Sequence, residues 1–267
     1  MTPDMMFWIL LALKAGLTAL VVIAVTVAAE RGGPLAGAFL ATLPIVPGPV
    51  FILLALDHPP AFIADSAQFA IAGNTMSTTF GAVYVLLAQR HSMWKSLAVA
   101  VAVWFAGASV IASLPLTQLT APLMTFSALA ICYVITRPYR EAVMPRVPLR
   151  FADVVLRGVF AAMIATAIFV ASIYFGASWT GVLSVFPVMF GSVIFLLHPR
   201  LGGHAAASVI ASANIGMWGF TLGALVAMLT AVPFGSWVAL GLALLTSLTW
   251  NLTVYSLRHR KLKAARA

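Results

Sequence analysis

Lys14, Asp65, Asn74, Thr78 and Asn214 stand inside stretches of otherwise apolar sequence. A polar side chain in such a stretch needs a partner, a wet cavity or a ligand. Lys14 has no acidic residue within a helical turn. A lysine at mid-membrane costs about 2.5–3.5 kcal/mol on insertion scales, so its partner is a distant acid such as Asp65, a backbone carbonyl or an anionic solute. Asn74, Thr75, Ser77, Thr78 and Thr79 make the most polar run of any apolar stretch, and Asn74, Thr78 and Gly81 share a helical face at i, i+4 and i+7. Asn214 recurs at an equivalent depth later in the chain. Two readings of these amides stand side by side: they contact a solute, or they hydrogen-bond one helix to another. Gly216, Gly219 and Gly223 read as a close-packing face of that second kind. Asp65 is the candidate for proton coupling, because a carboxyl in low dielectric titrates near neutral pH; a solvated acid at a helix start is the other reading.

Backbone offers further chemistry. PIVPGP at 44–49 carries Pro44, Pro47 and Pro49, each without an N–H, around the flexible Gly48. Pro44 lies about 15 Å into its span, near the bilayer centre. The expectation is an unwound or re-entrant element. Pro187, followed by Gly191, is similarly placed in a later span, where a single proline favours a simple kink. Amides and carbonyls released around Pro44, Gly48, Pro187 and Gly191 are able to bind a solute wherever protein or a cavity covers them.

The elements that must position these residues follow from composition. Apolar residues make up 63% of the 267, charged residues only 8%, and mean hydropathy is +1.07. Such a chain cannot cover a soluble core with polar surface, which excludes a soluble enzyme, a nucleic-acid module and a disordered protein. The recurring apolar stretches of about 20 residues predict an all-α polytopic membrane protein. Nine helices are expected, at roughly 5–29, 35–56, 61–88, 94–113, 117–136, 151–175, 177–197, 204–229 and 235–257. With the N-terminus outside, the inner segments hold Arg31, Arg90, Lys95, Arg137, Arg140, Arg146, Arg150, Arg200, Arg258, Arg260, Lys261, Lys263 and Arg266, and the outer segments hold no basic residue. That segregation places the C-terminus in the cytoplasm and explains the net charge of +9 without a polyanion partner. Of the two remaining cations, Lys14 is in helix 1, and Arg157 is read as snorkelling from helix 6 with Asp153 one turn away. The single cysteine, Cys132, allows no internal disulfide. His198 and His204 flank an inner loop without a carboxylate or cysteine beside them, so no metal or other cofactor is expected, and no nucleophile or phosphate-loop motif points to an enzyme.

A shift of 143 residues lays AFLATLPIVPGPVFILL (38–54) on GVLSVFPVMFGSVIFLL (181–197). Pro44 meets Pro187, Gly48 meets Gly191, and Lys14 meets Arg157; with a small gap, Asn74 and Phe80 meet Asn214 and Phe220. Helices 1–4 (residues 1–116) thus correspond to helices 6–9 (151–267), and 117–150 hold the linker helix 5 and a basic loop. One odd helix between the halves makes this an inverted-topology repeat, with broken helices 2 and 7 facing each other. Inverted repeats are the usual architecture of secondary transporters.

The segments LATLPIVPGPVFILLALDH with PAF, and GVLSVFPVMFGSVIFLLHPRLGG, resemble a family of uncharacterised bacterial polytopic inner-membrane proteins with an internal duplication. The resemblance covers most of the chain and implies a bacterial inner-membrane setting; it implies no activity and no binding residue. The expected function is a secondary transporter moving a small solute by alternating access. Two intramembrane cations against one clear intramembrane acid favour an anionic solute. Lys14, Pro44, Gly48, Asn74, Thr78, Pro187, Gly191 and Asn214 would line the route, with Asp65 coupling it to protons. The alternative is a non-transporting membrane protein, either an assembly partner or a lipid-acting enzyme.

Overall fold

Proline and glycine set most of the helix ends. The computed structural model describes residues 3–31, 46–140 and 150–264. α1 is Pro3–Arg31, and α2 is Pro47–Asp57, whose first residues include two prolines at positions where the N–H has no intrahelical partner anyway. α3 (Pro60–Leu87) and α4 (Met93–Ser113) follow, then α5 (Thr120–Thr136), which ends in a short 3₁₀ turn over Arg137–Tyr139. α6 is Phe151–Tyr174. The seventh apolar stretch is two helices, α7 (Gly176–Ser184) and α8 (Val188–Leu201). α9 (Gly203–Phe234) and α10 (Ser236–Ala264) follow. Gly202 and Gly235, both at φ +84°, make the turns on either side of α9 in a conformation that a β-carbon would disfavour. α9 runs through Pro233 to Phe234, so its end lies about a turn beyond the 204–229 expected from the sequence.

Among the described residues, eight helical stretches are long and apolar enough to cross a membrane, α7 and α8 counting as one, and α2 is a shorter apolar helix. The chain is an all-α polytopic membrane protein. Directions of neighbouring helices can be read from their contacts. Asn74 meets Met217, Thr78 meets Asn214 and Gly81 meets Ile210, so numbers fall along α9 as they rise along α3, and the two cross antiparallel. α1 and α6 do the same, Lys14 lying over Phe169 and Ile23 against Gly158. Against α7–α8, by contrast, α3 runs parallel: Ser66 meets Gly181, Ser77 meets Val185 and Tyr84 meets His198.

α3 is the least apolar of the spans and also the most buried, with 72% of its central stretch covered, against 17% for α10. That inverts the order expected in water and suits a bilayer, where polar residues turn to protein and apolar ones to lipid. Leu13, Leu17 and Leu20 of α1 and Leu123, Ile131 and Val134 of α5 are exposed accordingly. The inner surfaces are drawn close by small residues. A β-carbon at Gly181 would run into the Ser66 carbonyl and stand 2.9 Å from the Ala70 nitrogen, and one at Gly73 would lie 3.0 Å from the Val182 Cα. Gly219 and Gly223 seat Trp250 and Ser247 of α10 in the same way, which bears out their reading as a close-packing face.

Candidate functional site

The interruption between α7 and α8 is built on Pro187. With φ −77° and ψ 57°, Pro187 is the centre of an inverse γ-turn, closed by a hydrogen bond from the Val188 N–H to the Phe186 carbonyl at 2.7 Å. A simple kink was the expectation for this single proline, whereas the helix stops at Ser184 and restarts at Val188. The reason lies outside the element. The Ser77 hydroxyl of α3 donates to the Val185 carbonyl, and the Trp104 indole N–H of α4 donates to Ser77 Oγ at 3.2 Å. The Trp104 ring also meets Phe186 edge-on at 4.8 Å. Side chains from two other helices thus hold the irregular backbone, which is the condition for tolerating it at membrane depth.

One turn along α3, the amides expected at the centre are brought together. Asn74 Nδ2 donates to Thr221 Oγ1 at 2.9 Å and to the Met217 carbonyl at 3.4 Å; Asn214 Nδ2 donates to Thr78 Oγ1 at 2.9 Å. Each asparagine therefore reaches across to a threonine on the other's helix. All four side chains are buried. Thr125 of α5 donates to the Ile71 carbonyl at 2.7 Å and lies 3.1 Å from Thr75, and the Cys132 thiol sits beside Thr78 and Thr79. The centre is polar and, at this level, uncharged.

Below the crossing lies a small cavity lined by Thr78, Gly81, Thr136, Phe190, Asn214 and Met217, among others. About 10 Å³ of it is open to the centre of a water-sized sphere, room for about one water. Asn214 Oδ1 is buried and has no hydrogen-bond partner among the described residues. Further along α3, Tyr84 Oη lies 2.6 Å from Nδ1 of His198 on α8.

Of the residues singled out in the sequence, Asn74, Thr78 and Asn214 form this centre, and Pro187 makes the break beside it. Gly191 is one turn past the break and does not line the cavity. Gly48 is in the first turn of α2, apart from the cavity, and Pro44 lies outside the described residues. Lys14 is elsewhere: its ammonium pairs with Asp57 at the end of α2 and lies 5.6 Å from the centre of the Phe169 ring. Its partner is thus a distant acid, as expected, but Asp57 in place of Asp65. Asp65 is exposed on the second turn of α3. Asp153 accepts from Arg200 of α8 at 3.0 and 3.1 Å and from the Arg150 backbone N–H at 2.7 Å, tying the start of α6 to the end of α8. Among the described residues no three His, Cys, Asp or Glu side chains gather as a metal would require.

Sequence reasoning missed Thr221, Thr136, Ser77 as a cap for the break, and Arg140. Thr221 was accessible in principle, since it stands seven residues after Asn214 on the same helical face. Nothing local marks Ser77 for a carbonyl 108 residues away.

Compared with family models, with curated proteins and with solved structures, the chain matches none.

Proposed function

We propose that this protein is a secondary transporter that moves a small organic solute by alternating access. Its two inverted four-helix repeats, residues 1–116 and 151–267, are joined by α5. The observation that carries the reading is the reciprocal pairing of Asn74 and Asn214 across α3 and α9. These helices are equivalent under the sequence repeat, and they cross antiparallel with their polar faces inward. The equivalent helices α1 and α6 also pack antiparallel. In both halves a tryptophan of the fourth helix donates into the third: Trp104 to Ser77, and Trp250 to the Ile215 carbonyl at 3.2 Å. An interrupted helix beside a buried polar centre is how such carriers expose backbone to a solute. In this reading the N-terminus is outside, the basic segments are cytoplasmic, the setting is a bacterial inner membrane, and the chain shares the family and the nine-span topology argued from its repeat. Proton coupling through Asp65 belongs to the same proposal. An anionic solute was argued from an unmatched Lys14; Asp57 supplies that match, so Lys14 no longer carries the argument.

The rival, a non-transporting assembly partner, is favoured by one observation: the centre leaves room for about one water. Cysteine accessibility separates the two. Single cysteines along α3 and α8 in a Cys132→Ser background should be labelled from opposite sides of the membrane in alternation, and Pro187→Ala, which permits a continuous helix, should abolish that alternation while the protein still folds. Labelling confined to one side in all conditions would leave the assembly-partner reading.

A further inference from the structure

Among the described residues, four buried side-chain polar atoms have no hydrogen-bond partner, and two of them belong to residues that each adjoin Thr136 or share its cavity. One is Asn214 Oδ1, an acceptor. Asn214 is 5% exposed and lines the cavity, and its Nδ2 is committed to Thr78, which leaves Oδ1 free for another donor. The other is Arg140 Nε, a charged donor. Thr136 lines the same cavity as Asn214, and its hydroxyl lies 3.5 Å from Nη2 of Arg140, which is not itself a lining residue. Buried polar atoms without partners are uncommon in native proteins and ask for an explanation. An unpartnered acceptor and an unpartnered cationic donor that both neighbour Thr136 have a specific complement.

Arg140 is held for such a role. Its guanidinium lies 3.7 Å from the centre of the Tyr133 ring, and Nη2 donates to the Tyr133 carbonyl at 3.0 Å. Among the described residues it has no carboxylate partner, while Lys14 and Arg200 each have one. A guanidinium presents donors in a planar fork that fits a carboxylate.

We propose that Arg140 and Asn214 are the two ends of a site for a small carboxylic acid that also carries a hydrogen-bond donor, a 2-hydroxy or 2-amino acid. The carboxylate faces the guanidinium, the hydroxyl or ammonium donates to Asn214 Oδ1, and Thr136 neighbours both ends. This rests on the transporter reading and names its solute class; it also moves the attracting cation from Lys14 to Arg140. A three-carbon acid needs more room than one water, and Phe190 and Met217, the large side chains of the cavity wall, must swing aside to admit it.

The test uses the full-length protein in detergent, its thermal unfolding followed by tryptophan fluorescence, and lactate as probe. Lactate raises the midpoint in a concentration-dependent way. Propionate, which lacks the donor, and lactamide, which lacks the charge, bind about tenfold or more weakly. Asn214→Ala brings lactate down to the affinity of propionate and leaves propionate unchanged, a pattern that general destabilisation does not produce. Arg140→Gln loses both acids, and Arg140→Lys recovers part. Equal stabilisation by lactate, propionate and lactamide, or no stabilisation by lactate and alanine, overturns the proposal even if the Arg140 variants fail to fold. Stabilisation by added phosphatidylglycerol but by neither acid overturns it in favour of a lipid headgroup. Uptake of labelled lactate into proteoliposomes separates this proposal from the carrier reading. Binding without uptake removes the carrier and leaves the site. Uptake that Arg140→Gln and Asn214→Ala both retain removes the site and leaves the carrier.

Discussion

Asn214 donates to Thr78 Oγ1 at 2.9 Å, joining the third and eighth apolar stretches of the sequence across 136 residues. Hydrogen bonds of this kind between membrane helices average about 0.6 kcal/mol and reach about 1.7 kcal/mol. Both side chains are buried against protein, so a value above that average is expected. A double-mutant cycle with Asn214→Ala and Thr78→Val, read by reversible unfolding in detergent, should give a coupling of about 1 kcal/mol. Coupling near zero would mean that the two groups do not depend on one another.

Gly181 and Gly191 lie on either side of the same break and differ in surroundings. A β-carbon at Gly181 meets α3 backbone, whereas one at Gly191 finds nothing within 4 Å. Gly181→Ala should therefore destabilise by about 1–3 kcal/mol, the usual cost of overpacking. Gly191→Ala should be neutral or slightly stabilising, since alanine is the better helix former. A thermal midpoint for each variant decides this, and equal shifts would refute the close α3–α7 packing.

Ser77 serves two helices at once. Ser77→Ala leaves both the Val185 carbonyl and the Trp104 indole without their partner. A loss of about 1–3 kcal/mol follows from stranding a buried polar group. The emission of Trp104 should change with it, and a Trp104→Phe background shows which part of the spectral change is its own.

The Lys14–Asp57 pair is asymmetric. The Lys14 side chain is 19% exposed and that of Asp57 46% exposed. Asp57→Asn strands a cation in apolar surroundings, while Lys14→Met leaves an acid that can turn to solvent. Asp57→Asn should be the more damaging to folded yield in the membrane, and Lys14→Met in the Asp57→Asn background should restore much of the loss. The reverse order would show that the pair is held for Asp57.

His58, in the turn after α2, has its pKa lowered below 6.5 by burial foremost, with Lys14 adding to the effect and Asp57 opposing it. The unfolded chain therefore takes up the proton first as pH falls. The stability that neutral His58 contributes is present above pH 6.5, is lost as pH drops from there toward the folded pKa, and declines no further below it. In His58→Gln, unfolding midpoints between pH 7 and 5 should fall less steeply than in the wild type.

Much of this was legible along the chain. Apolarity is local and additive, so hydropathy alone placed the helices, and α3, α4 and α6 begin and end within a residue or two of their expected limits. Proline chemistry marked Pro187, and helical periodicity put Asn74 and Thr78 on one face. What the sequence did not determine is which of these groups meet. Lys14 lies 43 residues from Asp57, and Ser77 lies 108 from the carbonyl it caps. Whether Pro187 kinks its helix or interrupts it depends on whether another helix can satisfy the freed carbonyl, and only the approach of α3 and α4 decided that. Partner choice is set by where packed helices cross, through glycines such as Gly73 and Gly181 that let backbones touch. The sequence by itself determined what had to leave water; tertiary structure decided what each buried polar group found there, because in the low dielectric of a membrane interior that depends on distances between elements and not on the order of residues within them.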